Sequence, residues 1–106
     1  MNNRKLITAL APIRDNDGNA FPSITFETFE DTLINAAGGW TFEGERSGAW
    51  RDPATGTVYH DVTRAYSVIA PTETADTIAE TIARAIVEGF HQLAAYVSVS
   101  DCRVTL

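Results

Sequence analysis

The chain contains a single cysteine, a single lysine and no apolar run long enough to cross a bilayer. Cys102 has no partner for an internal disulfide, so the fold is expected to stand without one, as in cytosolic proteins. A spanning helix needs about 20 apolar residues. Nothing in the sequence approaches that, so the expectation is a cytoplasmic protein with no membrane partner. Arg4-Lys5, followed by the short apolar stretch Leu6 to Ala11, imitates a secretory leader with an Ala-x-Ala end. The stretch is too short for a leader and reads as a first β-strand.

Basic charge is scarce as well. Eight lysines and arginines stand against 14 acids, a formal charge of −6. The phosphate-neutralising surface of nucleic-acid binders is therefore missing, and no nucleic acid is expected as a partner. All the bases except Lys5 are arginine, which suits bidentate anion contacts and stacking on aromatics, although high-GC codon usage yields the same bias. There is no glycine-rich phosphate loop, no nucleophile elbow and no His-Glu-x-x-His. His60, Asp61, His91 and Cys102 lack the spacing of metal ligands, so no cofactor and no metal site are expected. The length of 106 residues fits one domain, residues 1–106, with a core but without a large enclosed cleft.

Leu6 to Ile13 is apolar on both faces and reads as a central strand, stopped by the turn signal Arg14-Asp15-Asn16-Asp17-Gly18-Asn19. The acids there hint at calcium, but Phe26 stands where a loop-closing Glu belongs, so a plain turn is expected. Pro22-Ser23 opens a helix with the apolar stripe Phe26, Phe29, Leu33 and Ala37, closed by Gly38-Gly39, and with Glu27, Glu30 and Asp31 on its outer face. Trp40 to Trp50 and Val58 to Ala70 have β character, with Asp52-Pro53-Ala54-Thr55-Gly56 as the loop between them. A second helix follows Pro71, with Thr72 or Thr74 as its cap, Asp76 near its positive end and a buried stripe of Ala75, Ile78, Ala79, Ile82, Ile86, Gly89 and Leu93. Ala94 to Leu106 is the last strand. Its alternation changes phase at Ser100-Asp101, which predicts a bulge or bend before Val104 and Leu106.

The order β-α-β-β-α-β predicts an α+β, ferredoxin-like fold: a four-stranded antiparallel sheet with two helices on one face. The other face is left open, which favours a homodimer or homotrimer. Hairpin strands of 11 to 13 residues would span about 35 to 40 Å, against about 27 Å for a helix of about 18 residues. The hairpin tip is therefore expected to project as a subunit clasp or a ligand flap, with Arg51 and Tyr59 at an interface.

The hairpin register that best matches apolar with apolar sets Trp50 against His60, Phe42 against Val68 and Gly44 against Tyr66. It also sets Arg46 against Arg64, a costly pairing unless something neutralises or separates the charges. Two explanations stand side by side. A bulge at Gly44 or Gly48 would turn one arginine outward. Alternatively, Arg46, Trp50, His60 and Arg64 form a ligand-binding cluster for a small anionic group, with forks for a carboxylate or phosphate.

Gly38-Gly39-Trp40-Thr41, Gly48-x-Trp50-x-Asp52, Thr55-Gly56-x-Val58-Tyr59-x-Asp61 and Tyr66-x-Val68 resemble the motif string of a group of small uncharacterised bacterial proteins with a ferredoxin-like fold. The layout is also similar to that of the PII-like signalling proteins. That resemblance implies a trimer with a long segment between its second and third strands and effector sites in clefts between subunits. The resulting expectation is a small oligomeric binding or regulatory protein, with its ligand or partner site at the hairpin and no catalytic residues. The alternative is a small enzyme of the dimeric α+β barrel type, an isomerase or oxygenase, with His60 as acid/base.

Overall fold

The computed structural model describes residues 2–104. Strand β1 (Asn2–Pro12), helix α1 (Ser23–Ala37), strands β2 (Thr41–Arg51) and β3 (Val58–Pro71), helix α2 (Ala75–Gly89) and strand β4 (Tyr96–Val104) follow in that order. The strands form one antiparallel sheet, ordered β2-β3-β1-β4. This is the ferredoxin-like arrangement. β1 is central because it is apolar on both sides: Ile7, Ala9 and Ala11 are buried beneath the helices, while Leu6 and Leu10 are half-buried on the open side.

α1 starts just after Pro22, whose φ of −68° suits entry into a helix. Phe26, Phe29 and Leu33 recur at helical spacing and are buried. Gly38 ends the helix at φ 87°, a left-handed conformation that a side chain disfavours, and its N–H donates to the Ile34 carbonyl. Ile82 and Ile86 of α2 join Leu33 and Tyr66 in the core. Phe90, just past α2, packs its ring 5.1 Å from Phe21, 5.4 Å from Phe26 and 5.7 Å from Phe29. Burying a ring of that size contributes about 1.5–3 kcal/mol.

The turn after β1 is a plain one. The Asp15 carboxylate accepts the backbone N–H groups of Asp17 and Asn19, each at 2.9 Å, the local bonding that fits Asp to turns. Two details depart from expectation at α2. Thr72–Thr74 form a 3-10 turn before the helix, and neither Thr72 nor Thr74 caps it with a side-chain hydrogen bond. The helix ends at Gly89, which is itself exposed, and the chain turns at His91 with φ 53°, so Leu93 leaves the buried stripe and is fully exposed.

A third departure lies in β4. The bulge expected at Ser100-Asp101 is absent, and pairing with β1 runs unbroken from Asn2–Val104 to Leu10–Tyr96. The phase change has another cause: Asp101 pairs across the strands with Lys5 and forms an ion pair with it. Leu106 lies outside the described residues. Among the described residues no helix is long and apolar enough to cross a membrane.

The molecule extends 48 Å along its longest axis, and its radius of gyration of 14.7 Å exceeds the value of about 13 Å for a compact chain of this length. The excess is the hairpin. β1 pairs with β3 only as far as Pro12–Thr63, so beyond that point Val58 to Val62 have β2 as their ladder partner. The outer part of β2 and β3 is a two-stranded arm.

Candidate functional site

The arm's register differs from the one favoured by apolar matching. Thr41 pairs with Ser67 and Phe42 with Tyr66, after which Glu43 is an extra residue. From there Gly44 pairs with Ala65, Glu45 with Arg64, Arg46 with Thr63, Gly48 with Asp61, Ala49 with His60, Trp50 with Tyr59 and Arg51 with Val58. The bulge is held by specific contacts. Gly44 takes φ +92°, the Ser67 hydroxyl donates to the Glu43 carboxylate at 2.8 Å, and Arg46 Nη1 donates to the Glu43 carbonyl at 2.6 Å. One extra residue reverses which side chains face which way further along the strand.

The inner half of the hairpin consequently keeps its expected faces. Tyr66 and Val68 are buried under the helices, and Phe42 and Trp40 lie beside Tyr66 at 5.9 and 5.6 Å between ring centroids. In the outer half β3 keeps its alternation and β2 is inverted against it. Arg64, Val62, His60 and Val58 follow the helix side with Glu45, Ser47, Ala49 and Arg51, while Arg46, Gly48 and Trp50 share the open side with Thr63, Asp61 and Tyr59.

Arg46 and Arg64 therefore do not face each other, and Trp50 does not face His60. The separation of the two arginines is the work of the bulge at Glu43-Gly44. Each arginine is engaged elsewhere. Arg46 donates to the carbonyls of Glu43 and Glu45. The Arg64 guanidinium lies 4.7 Å from the ring centroids of both Phe26 and Phe42 and 5.6 Å from Tyr66, with Glu30 at 3.8 Å. Its Nε is buried without a hydrogen-bond partner among the described residues. Glu30 also accepts a 2.6 Å hydrogen bond from the Tyr66 hydroxyl. Burial, first, and that bond, second, hold the Tyr66 phenol well above its ordinary pKa.

On the open side of the arm the indole of Trp50 stacks on the Tyr59 ring, 5.0 Å between centroids at 25°, and the two remain 55% and 46% exposed. Next along this face is Asp61, whose Oδ1 lies so close over Gly48 that a Cβ there would meet it at 2.9 Å. A concavity of about 590 Å³ runs from this face to the turn after β1, and Trp50, Tyr59, His60, Asp61, Arg14 and Asp15 are among its lining residues. Arg51 Nη1 donates to the Gly56 carbonyl and so braces the tip. Among the described residues no group of three or more His, Cys, Asp and Glu side chains is placed to hold a metal ion.

Two participants escape sequence reasoning. Glu30 belongs by spacing to the outer face of α1, yet it bonds Tyr66. Arg14 belongs by sequence to a turn, yet it lines the concavity, a juxtaposition that no spacing in the sequence encodes.

No protein-family model matches the sequence, and no curated protein matches it. Solved structures do match. The divalent cation tolerance protein CutA1 from Thermus thermophilus aligns with a TM-score of 0.67 at 10% identity, over 97% of this chain and 87% of that one. A phage SAM lyase in complex with S-methyl-5'-thioadenosine aligns at 0.71 with 11% identity, over 95% and 83%. A DUF3240 family protein from Shewanella baltica aligns at 0.57 with 15% identity, over 100% and 99%. At these identities the likeness is one of fold, and a fold alone does not select a function.

Proposed function

We propose that this chain is a small binding or regulatory protein that assembles with itself, as a dimer or trimer, through the β2-β3 arm. The observation that carries the reading is the arm beyond Pro12–Thr63, a two-stranded ribbon with large apolar side chains in solvent. A ribbon of that kind is marginal in water by itself, and apolar side chains gathered on a projecting element favour a partner. Val58 and Val62 on the helix-side face, each 43% exposed, with Arg51 beside Val58, are the stripe that a second copy covers. The fold neighbours named for divalent cation tolerance lend support at the level of architecture. An acid/base role for His60 is not favoured, because His60 and Asp61 alternate faces along β3.

Sedimentation velocity at micromolar concentration tests the proposal. The expected mass is two or three times 11.5 kDa, falling toward that of a single chain in a Val58→Asp, Val62→Asp double variant. A wild-type mass of one chain overturns it.

A further inference from the structure

We infer that the open side of the arm binds a small organic cation, of guanidinium or methylated ammonium type, between the Trp50–Tyr59 stack and the Asp61 carboxylate. The inference rests on the reading of the arm as the binding element; its rings and carboxylate alternate with Val58 and Val62 along the ladder, and Val62 borders the same concavity. Three observations meet there. The stacked rings of Trp50 and Tyr59 leave outward aromatic surface in solvent, and the face of an aromatic ring attracts a cation through its quadrupole. Asp61, exposed and on the same face, supplies a full negative charge along the ladder from the rings. Gly48, opposite Asp61, has no side chain, and the Asp61 carboxylate lies over it on the same face as the rings.

The balance of charge in the concavity has the same sign. Its lining holds one guanidinium, from Arg14, against two carboxylates, from Asp15 and Asp61, with His60 as the remaining titratable group near the rings. Arg14 Nη1 is directed to the Gly18 carbonyl at 3.2 Å, and the Asp15 carboxylate is taken by backbone N–H groups. Asp61 is the carboxylate of the lining that lies on the face of the rings. The two arginines that would have favoured an anion are withdrawn, Arg46 onto backbone carbonyls and Arg64 among the rings of the helix side. The net charge of −6 adds a long-range attraction for cations that salt weakens.

Titration of the full chain with methylguanidinium and with tetramethylammonium, followed by the indole N–H resonances in ¹H–¹⁵N spectra, tests the site. Trp40→Phe assigns the Trp50 resonance. A saturable shift of Trp50 is expected, with affinity at least tenfold lower in Asp61→Asn and in Trp50→Leu, and no saturable shift with benzoate or inorganic phosphate. The Trp50→Leu variant is read through the Tyr59 amide. No shift with either cation, equal affinity in Asp61→Asn, or binding of benzoate in preference to the cations overturns the inference. The mass and the cation titration of the wild type together separate the two proposals. A wild-type single chain that still binds the cations counts against assembly alone, and an oligomer that binds neither counts against this site alone.

Discussion

The guanidinium carbon of Arg64 lies 4.7 Å from the centroid of the Phe42 ring, and the Phe26 ring of α1 lies at the same distance from it. A flat, weakly hydrated cation fits such a slot, whereas a compact, strongly hydrated ammonium does not. Arg64→Lys is therefore expected to lower stability by about 1 kcal/mol although charge is retained. Arg64→Met, which fills the slot and removes the buried, unpartnered Nε, is expected to cost less. Urea denaturation of the three proteins decides the order, and a lysine variant as stable as wild type refutes the stacking role.

Tyr66 makes stability depend on alkaline pH. Its folded-state pKa lies above the ordinary value of 10.0 because burial and the bond to Glu30 favour the neutral phenol. The folded state therefore holds the proton more tightly than the unfolded chain does. The contribution is fully present below pH 10.0 and is lost as pH rises from there toward the folded pKa. Lys5, raised by its bond to Asp101, acts in the same direction near its own ordinary value of 10.5. In Tyr66→Phe the alkaline loss is expected to shrink while that from Lys5 remains, with about 0.5–1.5 kcal/mol lost at neutral pH. Thermal unfolding from pH 8 to 11 (about the span of an ordinary tyrosine titration) is the measurement.

Gly44 and Gly48 should respond differently to alanine. At Gly44 the backbone is at φ +92° and a Cβ would lie 3.3 Å from Arg46 Nη1, so Gly44→Ala is expected to cost about 1 kcal/mol or more. At Gly48 the obstacle is the end of the Asp61 side chain, which can swing away, and the expected cost is smaller. Equal midpoints in a denaturation series would show that the bulge does not depend on Gly44.

Core truncations should scale with burial. Leu33 is fully buried, so Leu33→Ala is expected to cost about 2–5 kcal/mol. Phe42 is 44% exposed, and Phe42→Ala is expected to cost about 1–2 kcal/mol, below the range for a fully buried ring. Glu43→Ala leaves the buried Ser67 hydroxyl without its acceptor and is expected to cost about 1 kcal/mol. Guanidinium titrations rank the three.

The parts of the fold governed by local chemistry are legible in the sequence. The stripe Phe26-Phe29-Leu33 and the stop at Gly38 mark α1 to within a residue, because spacing and a left-handed cap act over a single turn. The faces of Phe42, Tyr66 and Val68 are legible for a similar reason, since alternation holds until something interrupts it. The interruption itself shows as a conflict, Arg46 against Arg64, but its position does not. Whether Gly44 or Gly48 carries the bulge depends on Glu43 reaching Ser67 and Arg46 reaching back to a carbonyl, contacts that exist only once both strands are in place. The candidate cluster Arg46, Trp50, His60 and Arg64 rests on that undetermined residue count. The exit of α2 is misleading in sequence because Leu93 continues the helical spacing after the chain has turned at His91.

The early end of β1 at Pro12 divides the molecule mechanically. Past a last backbone bond from the Ile13 N–H to the Val62 carbonyl, the arm has β2 as its ladder partner, while the backbone nearer Tyr66 is locked between two neighbours and a roof of helices. The tip can therefore fray, be cut or carry an inserted label between Asp52 and Gly56 without loosening the layer of Leu33, Ile82 and Tyr66. A chain built this way can vary the reach of its grip independently of the body that holds it.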